Sequence, residues 1–281
     1  VKHAKLGGKL RDGGNNPAGG IFSALREIQV NFHDALKRHE NIVEIMGWDW
    51  SEKRVPVILT EYAENGTLRE FVHRHCSATK EHSWYELKRN FALDIASGLC
   101  ALHASDVAHG DVKLENTLVF PHPERGWHTK VSDFSHAVFG ISTKRKSTYP
   151  GSGLYNAPEI RRRSAVITSD LLPRCETFSY GLLLWELVKD GQSFFDMNWM
   201  HMRSDAQPSS PMLEGSRIAC LERLPPDALL DRALAFLGTC STIPAPGRSL
   251  FALVFEQSLK DRSPRRSDMS TIATMLDQQD R

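Results

Sequence analysis

Apolar residues recur at helical spacing from Ile21 onward. Ile21, Leu25, Ile28, Phe32 and Leu36 fall on one face, which predicts an amphipathic helix over 21–38. The pattern then changes: HENIVEIMGW (39–48) and RVPVILTEYA (54–63) read as strands connected through 51–54. AENGT (63–67) is a turn cluster, and LREFVHRHC opens another helical pattern. The clearest periodicity spans 83–103, where Trp84, Leu87, Phe91, Ile95, Leu99 and Leu102 share a face. Ser83 and Glu86 have the spacing of a capping box at its start. NTLVF and HTKVS read as short strands around PHPERGW, a turn. Phe178, Leu182, Trp185 and Val188 or Lys189 predict a buried or half-buried helix after residue 176, and 226–238 and 250–279 also read as helical. VKHAKL (1–6) reads as a strand, while 7–20, 203–217 and 240–248 are rich in loop-forming residues.

The expected organisation is α+β: a strand-containing part over residues 1–62, then a mainly helical part over 63–281. A cleft between two such parts is a common seat for a ligand. The 281 residues are 41% hydrophobic and 25% charged, with net charge +1, an ordinary globular balance. Such a charge gives no reason to expect nucleic acid or an anionic membrane as partner. The apolar run GLLLWELV (181–188) contains Glu186 and is too short to cross a bilayer. The five cysteines have no CxxC spacing and read as reduced, buried thiols of a cytoplasmic protein.

Candidate chemistry concentrates in AHGDVKLENTLV (108–119), where Asp111 and Asn116 stand five residues apart with Lys113 between them. Asp133 follows in VSDFS, at the end of a predicted strand. Phosphoryl transfer needs a carboxylate to orient or deprotonate the attacking hydroxyl, oxygen ligands for Mg²⁺, and a cation beside the transferred phosphate. Asp111, then Asn116 with Asp133, then Lys113 supply those parts. A single Asp or Asn in a loop is ordinarily a turn residue; it is the combination that points to chemistry.

HGDVKLEN resembles the catalytic loop of the eukaryotic protein kinases, usually H-R-D-x-K-x-x-N. VSDFS resembles their D-F-G motif, GSGLYNAPE (151–159) their A-P-E segment, FSYGLLLWEL (178–187) the helix that follows, and ILTEYAENGTL (58–68) the hinge. The five agree in order and register, and the resemblance covers residues 1 to about 275. It implies a bilobal protein-kinase-like fold, with the small lobe incomplete, and a serine/threonine kinase using ATP and Mg²⁺ on a protein substrate.

By that resemblance Asp111 would be the catalytic base and Lys113 would neutralise γ-phosphate charge, while Asn116 and Asp133 would hold Mg²⁺. Leu118 would pack beneath the adenine, the backbone of Glu61 and Ala63 would bond its edge, and Thr60 would be the gatekeeper. Glu27 would pair with the ATP lysine, for which Lys2 is favoured and Lys5 stays open. Ser152 would contact Asp111 and Lys113, and Arg266, with Arg265 as rival, would pair with Glu159.

The departures define further expectations. The phosphate-covering glycine loop would precede Val1, so the chain is expected to be a fragment with further parts upstream; the alternative is a pseudokinase binding module. Gly110 replaces the loop arginine that pairs with a phosphorylated residue, such as Ser147 or Thr148 here. H-G-D also resembles the small-molecule kinases of aminoglycosides or choline, against which Lys113 and A-P-E argue. Ser135 replaces the D-F-G glycine and should restrict the backbone there. Glu176 replaces an aspartate and should brace the loop more weakly. RRR (161–163) reads as a solvated basic face.

Overall fold

The structure is a computed structural model that describes residues 17–50, 56–76, 81–147, 149, 151–162, 167–195 and 214–278. The expected strand 1–6, with Lys2 and Lys5, lies outside the described residues, as do Thr148 and Arg163.

Helix α1 (Pro17–Phe32) begins inside the stretch expected to be loop. Proline is tolerated in a first turn, where its missing N–H has no helical partner in any case. The helix also ends before 38: residues 33–37 form turns, and Arg38 takes φ 66°. Leu36 is nonetheless buried. Strands β1 (Ile45–Asp49) and β2 (Val57–Thr60) pair antiparallel, with Trp48 opposite Ile58.

Helix α2 (Leu68–His75) carries a capping box. Thr67 Oγ1 accepts from the Glu70 amide at 3.3 Å, and Glu70 Oε2 accepts from the Thr67 amide at 3.1 Å. Helix α3 (Glu81–Ala104) starts ahead of Ser83, so Ser83 lies in the first turn rather than at the N-cap expected for it.

Strand β3 (Val107–Ala108) pairs with β6 (Val138–Phe139), and β4 (Thr117–His122) with β5 (Gly126–Val131), both antiparallel. The Val131 amide donates to Asn41 O at 2.9 Å, and the Val43 amide to Val131 O at 3.0 Å. These bonds tie the turn after α1 to β5.

Helices α4 (Pro158–Arg161) and α5 (Leu172–Val188) follow. Nearly every residue of α5 is buried, so it has no polar face and forms the centre of the core with α3. Two of its polar side chains are held by Tyr155: Ser179 Oγ donates to Tyr155 O at 2.9 Å, and Glu186 accepts from Tyr155 Oη at 2.6 Å. Helices α6 (Glu214–Glu222), α7 (Ala228–Thr239), α8 (Ala245–Ser258) and α9 (Met269–Asp277) complete the described chain. Residues 245–248, expected in a loop, open α8, and the long helix expected over 250–279 is broken between α8 and α9. Arg161 is buried rather than solvated, a further correction to the composition-based reading.

Candidate active site

The short strand β3 delivers His109, and Gly110 then takes φ 85°, a left-handed turn that a side chain would strain. His109 Nδ1 accepts from the Asp111 amide at 3.1 Å, and Nε2 lies 3.0 Å from Ser132 O. That pairing fixes the ring proton on Nε2 and fastens the loop to the segment leading into Asp133.

The Asp111 carboxylate is buried and fully partnered. Oδ1 accepts from the Ser152 amide at 2.9 Å; Oδ2 accepts from Lys113 Nζ at 2.5 Å and Asn116 Nδ2 at 2.9 Å. Lys113 Nζ also donates to Ser152 Oγ at 2.9 Å, and Asn116 Nδ2 to Asp111 O at 2.9 Å. Burial pushes the Asp111 carboxyl up, but Lys113 and Ser152 more than offset it and hold the group at about 2. Asp111 is therefore ionised at neutral pH. The structure brings Asp111, Lys113, Asn116 and Ser152 together as the sequence predicted.

Asp133 follows β5 in a left-handed conformation, φ 64°. Ser132 bonds Asn116 O through its amide at 2.9 Å and its hydroxyl at 3.0 Å, which sets Asp133 beside the loop. Ser135 does more than restrict the backbone: its Oγ donates to Asp133 Oδ1 at 2.6 Å. Glu27 of α1 reaches the same place, beside Asp133 and Phe134. Burial, then the Asp133 charge, pushes the Glu27 carboxyl up to about 8. Neighbouring Arg26 donates from Nη1 to Ser135 O at 3.0 Å.

Thr60 ends β2, and Glu61 follows it. The Glu61 carboxylate accepts from Lys130 Nζ at 2.8 and 2.9 Å and from the Glu44 amide at 2.8 Å. The Glu61 amide donates to Glu44 O at 3.0 Å, and Ala63 O accepts from the Gly66 amide at 3.1 Å. Half-buried Leu118 lies on β4 opposite Thr67. The Lys130–Glu61 pair was missed from sequence; its members are 69 residues apart, and the hinge motif that contains Glu61 assigns a role to its backbone and none to its side chain.

Two departures take on a physical meaning. Glu176 Oε1 accepts from the Gly110 amide at 2.6 Å, while Oε2 pairs with His103 Nε2 at 2.7 Å. The weaker brace expected from the extra methylene is not what is found; the longer side chain spans two partners. Burial opposes the Glu176 charge, yet the His103 contact keeps its carboxyl below the usual range. A Cβ on Gly110 would collide with the carbonyl of His136, so the residues after Asp133 pack directly on the loop. Glu159 is paired by Arg266, not Arg265, through two bonds of 2.7 and 2.8 Å.

A family model described as "Protein kinase domain" matches residues 15–236, more than half of the chain. The chain belongs to the protein kinase domain family. Among similar proteins, a probable serine/threonine-protein kinase of Dictyostelium discoideum is 35% identical over 167 residues, 58% of this chain and 29% of that protein. The probable serine/threonine-protein kinase SIS8 of Arabidopsis thaliana is 33% identical over 190 residues, covering 64% and 16%. The Arabidopsis leucine-rich repeat receptor-like protein kinase PXC2 is 32% identical over 174 residues, covering 60% and 17%. The chain thus spans less than a third of these relatives' lengths. Kinase domains in general use ATP and a divalent metal on protein substrates. The small-molecule-kinase and binding-module readings are not favoured by these matches. Among the described residues, no helix is long and apolar enough to cross a membrane.

Proposed function

We propose that this kinase domain transfers the γ-phosphate of ATP to serine or threonine hydroxyls of a protein. The observation that carries the reading is the single cluster of Asp111, Lys113, Asn116 and Ser152. Asp111 is ionised and buried, so it accepts a hydrogen bond from an incoming hydroxyl and takes its proton as transfer proceeds. Lys113 lies within reach of the same carboxylate and supplies positive charge where the phosphoryl group arrives.

The metal fits the donor set. Asn116 spends Nδ2 on Asp111 and presents its amide oxygen, while Asp133 uses Oδ1 on Ser135 and presents Oδ2. Both are hard oxygen donors, and Mg²⁺ takes one or two such protein ligands beside phosphate oxygens and water. Held by Asn116 and Asp133, the metal would supply positive charge against the phosphates of the nucleotide.

A purine edge offers both a donor and an acceptor. Glu61 has spent its amide and Ala63 its carbonyl within the protein, which leaves Glu61 C=O and Ala63 N–H to meet that edge. We assign Leu118 to the adenine floor, Thr60 to the gatekeeper position and Glu27 to the ATP lysine, Lys2 or Lys5. The division at 62/63 is kept as the boundary between lobes. Five free thiols support a cytoplasmic location.

The test is phosphate transfer from labelled Mg-ATP to general acceptor proteins, with phosphoamino-acid analysis of the product. Label should appear on serine or threonine, and Asp111→Ala should lower the rate by about 10²–10⁴-fold. Absence of transfer by the intact protein, or transfer that survives Asp111→Ala, overturns the reading.

A further inference from the structure

Arg69 lies in the first turn of α2, and every nitrogen of its guanidinium is engaged. Nε donates to Glu115 Oε1 at 2.6 Å, and Nη2 to Tyr155 Oη at 2.8 Å. Nη2 also meets Glu186 Oε2, and Nη1 meets the Gly191 carbonyl. Tyr155 Oη donates in turn to Glu186 Oε2 at 2.6 Å, while Glu186 Oε1 accepts from the Phe194 amide at 3.1 Å.

Two of these partners border the cluster around Asp111. Glu115 is the middle residue of a short turn, Leu114–Asn116, whose outer members are buried while its own side chain is half-exposed. Asn116 faces inward and bonds Asp111, so Arg69 grips from outside the turn that presents Asn116. Tyr155 closes a second turn, its amide donating to Ser152 O at 2.9 Å. The amide and hydroxyl of Ser152 are the groups that meet Asp111 and Lys113. The helix carrying the arginine is itself pinned to β4, because the Val119 amide donates to Gly66 O at 3.1 Å and Thr67 bridges Leu118.

Stability alone does not account for this arrangement. A part-exposed ion pair adds little to folding, and a buried carboxylate loses in desolvation about what its pairing returns. Direction is what the network supplies. Burial, then the Glu186 charge, raises the Tyr155 phenol, so its hydroxyl keeps the proton it donates. The planar guanidinium then holds Glu115 and Tyr155 at fixed angles to one another. We propose that Arg69 is a positioning residue for phosphate transfer: through Glu115 and Tyr155 it keeps the Asn116 turn and the Ser152 turn in register around Asp111. This rests on the transfer reading above and adds to it a residue outside the motifs that identify the site.

The test combines kinetics with amide exchange. Arg69→Met should lower kcat about 10–100-fold, the scale of a misplacement of reacting groups, and leave KM for ATP within about twofold. Arg69→Lys, which keeps the charge without the fork, should recover part of that loss. Glu115→Ala should lower kcat in the same direction, and the double variant should be no slower than Arg69→Met alone, because both changes break one contact. Glu115 is half-exposed, so its variant decides the matter if Arg69→Met does not fold. Hydrogen exchange should quicken over 111–117 and 151–157 in Arg69→Met and stay unchanged in α8 and α9. That measurement needs no turnover: a wild type without transfer activity sinks the proposed function, and exchange still decides whether Arg69 orders the two turns. Unaltered kcat in Arg69→Met and Glu115→Ala, additive losses in the double variant, or exchange that quickens uniformly or not at all overturns the proposal.

Discussion

Asp111 keeps its charge in a buried loop because Lys113 and Ser152 more than offset the loss of water. Lys113→Met should therefore raise the Asp111 pKa by about 1–2 units, read from the carboxyl carbon in an NMR titration. Because the folded value lies below the ordinary 3.8, this group stabilises the fold above that pH. The contribution is lost as pH falls from there towards about 2. Glu27 has the opposite sign. Its carboxyl is raised from 4.5 to about 8, so its burial increasingly costs stability as pH climbs between those values. Glu27→Gln should flatten that part of the pH–stability curve in urea titrations; an unchanged slope would assign it to another group. Ser135→Gly removes the hydroxyl that steers Asp133 Oδ1. We expect Mg²⁺ affinity in the presence of nucleotide, measured by calorimetry, to weaken by about tenfold or more, as for other groups that orient a metal ligand.

Elements are held by a few buried polar contacts superimposed on apolar packing. Arg266 is 1% exposed and anchors Glu159 at the start of α4. Arg266→Met leaves that carboxylate without its partner and should cost about 3–5 kcal/mol in equilibrium unfolding. The sequence made α3 and α5 legible because long apolar periodicity dominates there. It misplaced the starts of α1 and α8 because Gly and Pro were counted as loop formers, although proline is at home in a first turn. It also put a capping box at Ser83 and overlooked the one at Thr67 and Glu70, although both fit the same S/T-x-x-E pattern. The candidate site was easier to read, since Asp111, Lys113 and Asn116 sit in one short stretch. Glu27 beside Asp133, and Lys130 on Glu61, depend on contacts that no local pattern encodes. Arg161 was hidden by its neighbours: a run of three arginines suggests a solvated face, and burial of the first cannot be seen in composition.

For the molecule as a whole, the apolar surface is uneven. Phe22 and Phe32 of α1, Met46 and Trp48 of β1, and adjacent Trp50 are all exposed, and Phe32 meets Trp48 edge-on at 5.3 Å. Exposed aromatic rings in mutual contact, as Phe32 and Trp48 are, give an apolar dye a surface on which to bind. The 281-residue protein should enhance the fluorescence of an apolar dye under native conditions, and Met46→Ser with Trp48→Ser should reduce that signal without lowering Tm. The Lys130–Glu61 pair links the residue after β2 to β5. Lys130→Ala is expected to alter nucleotide affinity more than thermal stability, since one part-buried ion pair contributes little to folding while the geometry around Ala63 depends on it.

The meeting of Gly110 with the His136 carbonyl also constrains the order in which this lineage can change. An arginine at 110 would have to displace backbone and adopt a left-handed φ, a strain of about 1–3 kcal/mol before the clash is counted. The turn after Asp133 must be rebuilt first, and only then does a phosphate-reading arginine become a permitted next substitution.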